Sequence, residues 1–204
     1  LARKDEKIMS WQRRRTTRAF APAPAENAVV TAISNNDRTY LVTLLAQGAD
    51  PDAPHRDTCP LVFAAHRGEI EIIDLLLQYK ADINQQDAKG MTALMVAAAG
   101  QQHDLCRALL ARRADINAQD KDGRTALMHA ALQADHEAIA LLVSAGADAL
   151  VKNKAGKTVL DDLAVPANAG LRATFNAAQK EAAKINTAMT AHVTVRKPLQ
   201  IRLK

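Results

Sequence analysis

From Pro60 to Leu77 the apolar residues fall into two sets at helical spacing. Leu61, Ala64 and Ala65 share one face of a first short helix, with Pro60 at an early position where its missing N–H costs nothing. Gly68 breaks that helix. Ile72, Ile73, Leu76 and Leu77 then form the core stripe of a second helix over residues 69–79. Glu69, Glu71 and Asp74 sit early in it, near the positive end of its dipole. The pattern predicts a helix-turn-helix unit joined by small alanines, and it repeats. Alanine pairs recur at Ala64-Ala65, Ala97-Ala98 and Ala130-Ala131, and leucine runs at Leu75-Leu76-Leu77, Leu109-Leu110 and Leu141-Leu142.

The step of the repeat is read from an x-Ala-Asp tripeptide. It occurs at Gly48-Ala49-Asp50, Lys80-Ala81-Asp82, Arg113-Ala114-Asp115 and Gly146-Ala147-Asp148, with steps of 32, 33 and 33. Twelve residues after each of the last three come Thr92-Ala93-Leu94-Met95, Thr125-Ala126-Leu127-Met128 and Thr158-Val159-Leu160-Asp161. After the first, Cys59-Pro60-Leu61-Val62 follows at eleven, so one residue is missing there. A fixed step in this range marks one supersecondary unit copied and stacked, because each unit is too small to cover its own apolar face. Asp87-Ala88-Lys89-Gly90, Asp120-Lys121-Asp122-Gly123 and Asn153-Lys154-Ala155-Gly156 read as turns at the tips of hairpin-like fingers. Five units result, the outer two atypical. Residues 25–47 make a polar first unit, with Asn27 where the others have Thr or Cys. The last loses the alanine pair, and a helix from Leu171 to about Ile185 is expected to cover the open end.

These motifs resemble the ankyrin repeat, whose pattern is Thr-Pro-Leu-His, an alanine pair, a leucine run and Gly-Ala-Asp. The resemblance covers residues 25–165, with Met in place of the family's His and Ala twice in place of its Pro. The Thr-Ala-Leu-Met form is similar to repeats of bacterial ankyrin proteins. The implied fold is all-α, an ankyrin-repeat solenoid of about five helix-turn-helix units with finger loops. The resemblance also implies partner binding through finger tips and the exposed end of each first helix, on the concave surface. Carried onto this chain, the tips are Ala88 and Lys89, Lys121 and Asp122, Lys154 and Ala155. Thr58, Met91, Arg124 and Lys157 adjoin them. His66 and Arg67, Ala99 and Gly100, and Leu132 and Gln133 follow the alanine pairs. The tips lean cationic, whereas the opposite, convex side carries Glu69, Glu71, Asp74, Asp104 and Glu137.

Composition narrows the choice. Aromatic residues are only 3% of the 204, as expected where Ala and Leu pack the core. No run of about 18 apolar residues suggests a membrane span. Two cysteines make no disulfide framework; Cys106 stands where Ile73 and Ile139 stand and reads as a buried hydrophobe, as does Cys59. The chain begins at Leu1, not Met. A cytoplasmic location fits it, as does a periplasmic or exported one if a leader has been removed.

Charge is segregated. Residues 1–24 carry seven Lys or Arg against two acids, and residues 192–204 carry four cations and no acid. A net charge of +5 overall therefore leaves residues 25–191 net acidic. Domain limits follow: a basic N-terminal tail over 1–24, the repeats over 25–187, and a basic C-terminal tail over 188–204. Trp11, Arg13, Arg14, Arg15, Arg18 and Phe20 mix aromatics with cations ahead of a stiff Ala-Pro spacer. That tail suits a protein groove, an acidic membrane surface or nucleic acid, or is a solvated end. Val193, Val195, Leu199, Ile201 and Leu203 alternate with polar residues, the pattern of a half-buried strand, which Pro198 confines to an edge. Such a strand would lie along the solenoid or add to a sheet edge of a partner.

Catalytic signals are weak. His103 and His136, 33 residues apart with Asp104 and Glu137 beside them, form a ladder that repetition alone generates. No His-Glu-x-x-His, Cys-x-x-Cys, phosphate loop or nucleophile elbow occurs. The expectation is a non-enzymatic protein-binding module without cofactor or metal. It would act as an inhibitor, immunity-like protein, chaperone or accessory subunit of a partner protein, either an acidic surface or an enzyme. A generic scaffold is the next reading, then nucleic-acid or membrane-surface binding through the tails. Nothing indicates a homo-oligomer.

Overall fold

The computed structural model describes residues 28–165 and 168–194. Trp11 and the Ala-Pro spacer lie outside them, as do Val195, Leu199, Ile201 and Leu203. Five units each contribute two antiparallel helices: α1 (Ala28–Ser34) and α2 (Arg38–Ala46), α3 (Pro60–Arg67) and α4 (Ile70–Gln78), α5 (Ala93–Ala99) and α6 (His103–Ala111), α7 (Ala126–Leu132) and α8 (His136–Ser144), α9 (Val159–Leu163) and α10 (Ala169–Thr194). First helices stack on first helices, with α3 against α1 and α5, and α7 against α5 and α9. Second helices form the other layer, with α8 against α6 and α10.

The core lies where the repeat pattern placed it. Leu61, Leu94 and Leu127 are buried along the row of first helices, as are Ile72, Leu105 and Ala138 along the second. The alanine pairs are buried throughout, so first helices approach with little between them. Thr92 Oγ1 and Thr125 Oγ1 accept from the N–H of Met95 and Met128, capping α5 and α7. Cys59 provides no such bond, and Pro60 at the helix start leaves one fewer unpaired N–H at that end.

α10 is more than an added cap. Its start at Ala169 lies 33 residues after the start of α8, so it is the second helix of the fifth unit, in register and extended. Leu171 and Phe175 occupy the places of Ala138 and Leu142 and are buried. The far side turns polar at equivalent positions. Asp161 stands for Met128, Arg172 for Ile139 and Asn176 for Val143, which ends the stack. Asp161 Oδ2 accepts from Thr158 N–H at 2.7 Å and its hydroxyl at 2.9 Å, and these bonds hold its carboxyl below the usual range.

The strand expected from residue 192 is corrected at its start. α10 runs through His192, Val193 and Thr194. No Gly or Pro interrupts the chain between Gly170 and Pro198, and Ala is frequent, so helix propagates. No strand among the described residues offers an edge to pair with.

Polar ladders tie the units along the loops. Asp115 N–H donates to Asn84 Oδ1 at 2.7 Å and Asp148 N–H to Asn117 Oδ1 at 2.9 Å. In the first joint Asp52 takes that role, accepting from Asp82 N–H at 3.0 and 3.1 Å. Burial, with Asp50 and Asp82 nearby, raises the Asp52 pKa against the lowering effect of that N–H. A carboxyl raised in the folded state costs stability above its folded pKa and costs nothing once protonated in both states. Asp52→Asn keeps an acceptor and loses the charge. We expect a gain of at most about 0.5 kcal/mol at pH 7, as for other screened charges, and none well below about pH 3.9. Urea unfolding at two pH values measures it, and a loss at pH 7 would show the carboxylate to be needed.

Candidate protein-binding face

The fingers are Asx-type turns. Asp87 Oδ1 accepts from the N–H of Lys89 and of Met91, both at 2.8 Å, and Asp120 Oδ1 from Asp122 at 2.9 Å and Arg124 at 2.8 Å. Asn153 does the same for Ala155 and Lys157, at 3.0 Å each. Successive fingers are joined through backbone: Ala88 N–H donates to Asp57 O at 2.9 Å, Lys121 to Lys89 O at 3.0 Å, and Lys154 to Asp122 O at 2.9 Å. This ladder places Lys89, Lys121, Asp122 and Lys154 in one exposed line.

The missing residue of the second unit falls in its finger. There the turn shrinks to a hairpin, with His55 N–H donating to Thr58 O at 2.8 Å and Thr58 N–H to His55 O at 3.1 Å. Arg56 sits at the tip with φ of 53°. Beside this short finger lies a cleft of ≈ 590 Å³. Val30, Thr31, Ser34, Phe63 and His66 of α1 and α3 line one side, and His55, Arg56, Thr58 and Lys89 belong to the finger side. Finger and first-helix residues therefore share one surface.

Other candidates have structural duties. Met91 is half-buried against the core and Arg124 is half-buried. Arg67 Nε lies 2.6 Å from Glu69 Oε1. His66, Leu132, Gln133, Lys154 and Lys157 are exposed, Leu132 to 55%. Phe63, Arg56 and Val165 were missed in the sequence, although Val165 lies 33 residues after Leu132 and is 51% exposed.

Three of the five convex acids are not free counterparts of these cations, whereas Glu69 pairs with Arg67 and Asp104 makes no ion pair among the described residues. Glu71 pairs with Arg38 and Asp74 with Arg112. Glu137 Oε1 lies 2.6 Å from Arg107 Nη2. Each of these three pairs bridges neighbouring units. His103 and His136 do not converge. His103 Nε2 lies 2.8 Å from Asp135 Oδ2 and its Nδ1 3.2 Å from Glu137 Oε2, whereas His136 Nδ1 lies 2.7 Å from Thr174 Oγ1. By contrast Arg56, Lys89, Lys121, Lys154 and Lys157 make no ion pair among the described residues.

Both cysteines are buried and free. Burial pushes the Cys106 thiol up to about 11 and raises Cys59 as well. A protonated, covered thiol is a poor nucleophile. Neither should react with iodoacetamide at pH 8 until the stack opens, and both should react in denaturant. Rapid native labelling of Cys106 would contradict its place in the core.

The comparisons agree with this architecture. The family described as ankyrin repeats (three copies) matches residues 29–120 and 102–183. The Drosophila melanogaster protein named ARF GTPase-activating protein Git is 43% identical over 63 residues, 30% of this chain and 9% of its own length. The Homo sapiens ankyrin repeat and protein kinase domain-containing protein 1 is 45% identical over 47 residues, 23% of this chain and 6% of its own. The chain thus spans less than a tenth of the length of these relatives. Residues matched to the family run through all five pairs of helices, and the chain belongs to the ankyrin-repeat family.

Proposed function

We propose that the chain is a non-enzymatic protein-binding subunit. Its finger side, including Thr58, His66, Lys89, Lys121, Lys154 and Lys157, docks an acidic surface of a partner protein. One observation carries this reading: Arg56, Lys89, Lys121, Lys154 and Lys157 of the fingers make no ion pair among the described residues, while three of the five acids of the opposite side, Glu71, Asp74 and Glu137, are engaged between units. An ankyrin stack is a protein-interaction module, and an inhibitor, immunity-like, chaperone or accessory role is the finer reading.

The test is charge reversal. Lys89→Glu, Lys121→Glu and Lys154→Glu together should slow association about tenfold or more and flatten its salt dependence. Reversing Lys80 and Lys180, exposed cations elsewhere, should change little. The engaged acids Glu71, Asp74 and Glu137 are unsuitable controls, because reversing them breaks contacts between units. Equal losses from both lysine sets would refute the assignment.

A further inference from the structure

We infer that the fourth and fifth units form a track for an acidic amphipathic helix of the partner, lying along the stack; this rests on the finger-side reading above. Three rows in these units share a 33-residue step. Lys121 and Lys154 form the finger row, Arg124 and Lys157 a row just ahead of the capping threonines, and Leu132, which ends α7, and Val165, two residues past α9, an apolar row. Leu132 and Val165 are 55% and 51% exposed, where the preceding units carry Ala99 and His66. The apolar row therefore belongs to this half of the stack.

The dimensions fit a helix. α7 has seven residues and rises about 9 Å from Ala126 to Leu132, and Arg124 lies two residues before its start, so the cationic and apolar rows stand more than about 9 Å apart, room for one helix about 10–12 Å wide. Stacked helices lie about 8–10 Å apart, and seven residues of helix advance about 10.5 Å. An acid at every seventh position would therefore meet one finger after another. Its other flank would lay Leu, Ile or Phe on Leu132 and Val165.

The floor between the rows sets the orientation. In these two units it carries His129 and Asp162, with His129 Nε2 2.8 Å from Asp120 Oδ2. Asp162 would repel an acid facing the floor, so the acids must face the fingers. Asp122, exposed beside Lys121, and the apolar row make the same track a poor fit for nucleic-acid phosphates.

Selection of displayed random peptides on the full chain tests this. Enriched peptides should carry Glu or Asp at i and i+7, with large apolar residues on the adjoining flank. Binding of a selected peptide should fall roughly tenfold with Leu132→Asp, and similarly with Lys121→Glu plus Lys154→Glu. It should not change with Lys80→Glu. Leu132 is exposed, and far-UV spectra verify that its variant folds. Failure to enrich any peptide, enrichment without acidic residues, or tighter binding of a single-stranded DNA oligomer at the same lysines would overturn the inference. If enriched peptides lack the acidic pattern yet lose binding with the finger lysines, the finger-side reading survives alone. If no finger substitution affects them, both fail.

Discussion

Replacing Phe175 by Ala is expected to destabilise the C-terminal end of the stack by about 3–5 kcal/mol. Phe175 is 2% exposed, on α10 where it packs against α8. It fills the place that Leu142, Leu109 and Leu76 hold in the inner units, so no other side chain can occupy the void. In a stack each unit touches only its neighbours, and the loss should appear first as separate melting of the last unit. Hydrogen exchange should report α9 and α10 opening at a denaturant concentration where α3 to α6 remain protected. Ile185→Ala on the same helix, at a residue 52% exposed, should cost far less. Similar effects from the two would contradict the placement of α10 as the second helix of the fifth unit.

Gly123→Ala should be much more costly than Gly156→Ala. Both glycines have left-handed backbones, φ 76° and 74°, so each substitution carries about 1–2 kcal/mol of conformational cost. They differ in what lies above them. A Cβ at Gly123 would come within 2.8 Å of Lys154 N in the next finger, whereas at Gly156 nothing lies within 4 Å. The obstacle is backbone, held by the bond from Lys154 N–H to Asp122 O, and displacing it should add a further 1–3 kcal/mol. Thermal unfolding of the two variants measures the difference. Equal losses would show that the fingers do not stack as described.

The repeat register made the fold legible, because Ala93, Leu94, Ala97 and Leu109 each serve packing and recur at one step. The fifth unit was harder to read. Leu163 replaces the first alanine of the pair and Pro166 follows the short α9, which obscured that Ala169 still keeps the 33-residue step. The odd-numbered apolar residues near the end show period two, but Val193 belongs to the helix whose Leu171 and Phe175 are buried in the stack. The line of finger cations could be named from the repeats. That Glu71 and Asp74 are consumed between units could not, because Arg38–Glu71 and Asp74–Arg112 join residues more than thirty positions apart. The shortened finger was legible as a missing residue, yet its cleft around Phe63 needed the packing of two units.

A protein partner is expected to dock on the finger side. This is tested most directly by hydrogen exchange of the chain alone and in complex with a partner isolated by affinity capture. New protection is expected at residues 87–91, 120–124 and 153–157 and at the ends of α3 and α7, with α4, α6 and α8 unchanged. Protection confined to α4, α6 and α8, with the fingers exchanging as in the free chain, would contradict it.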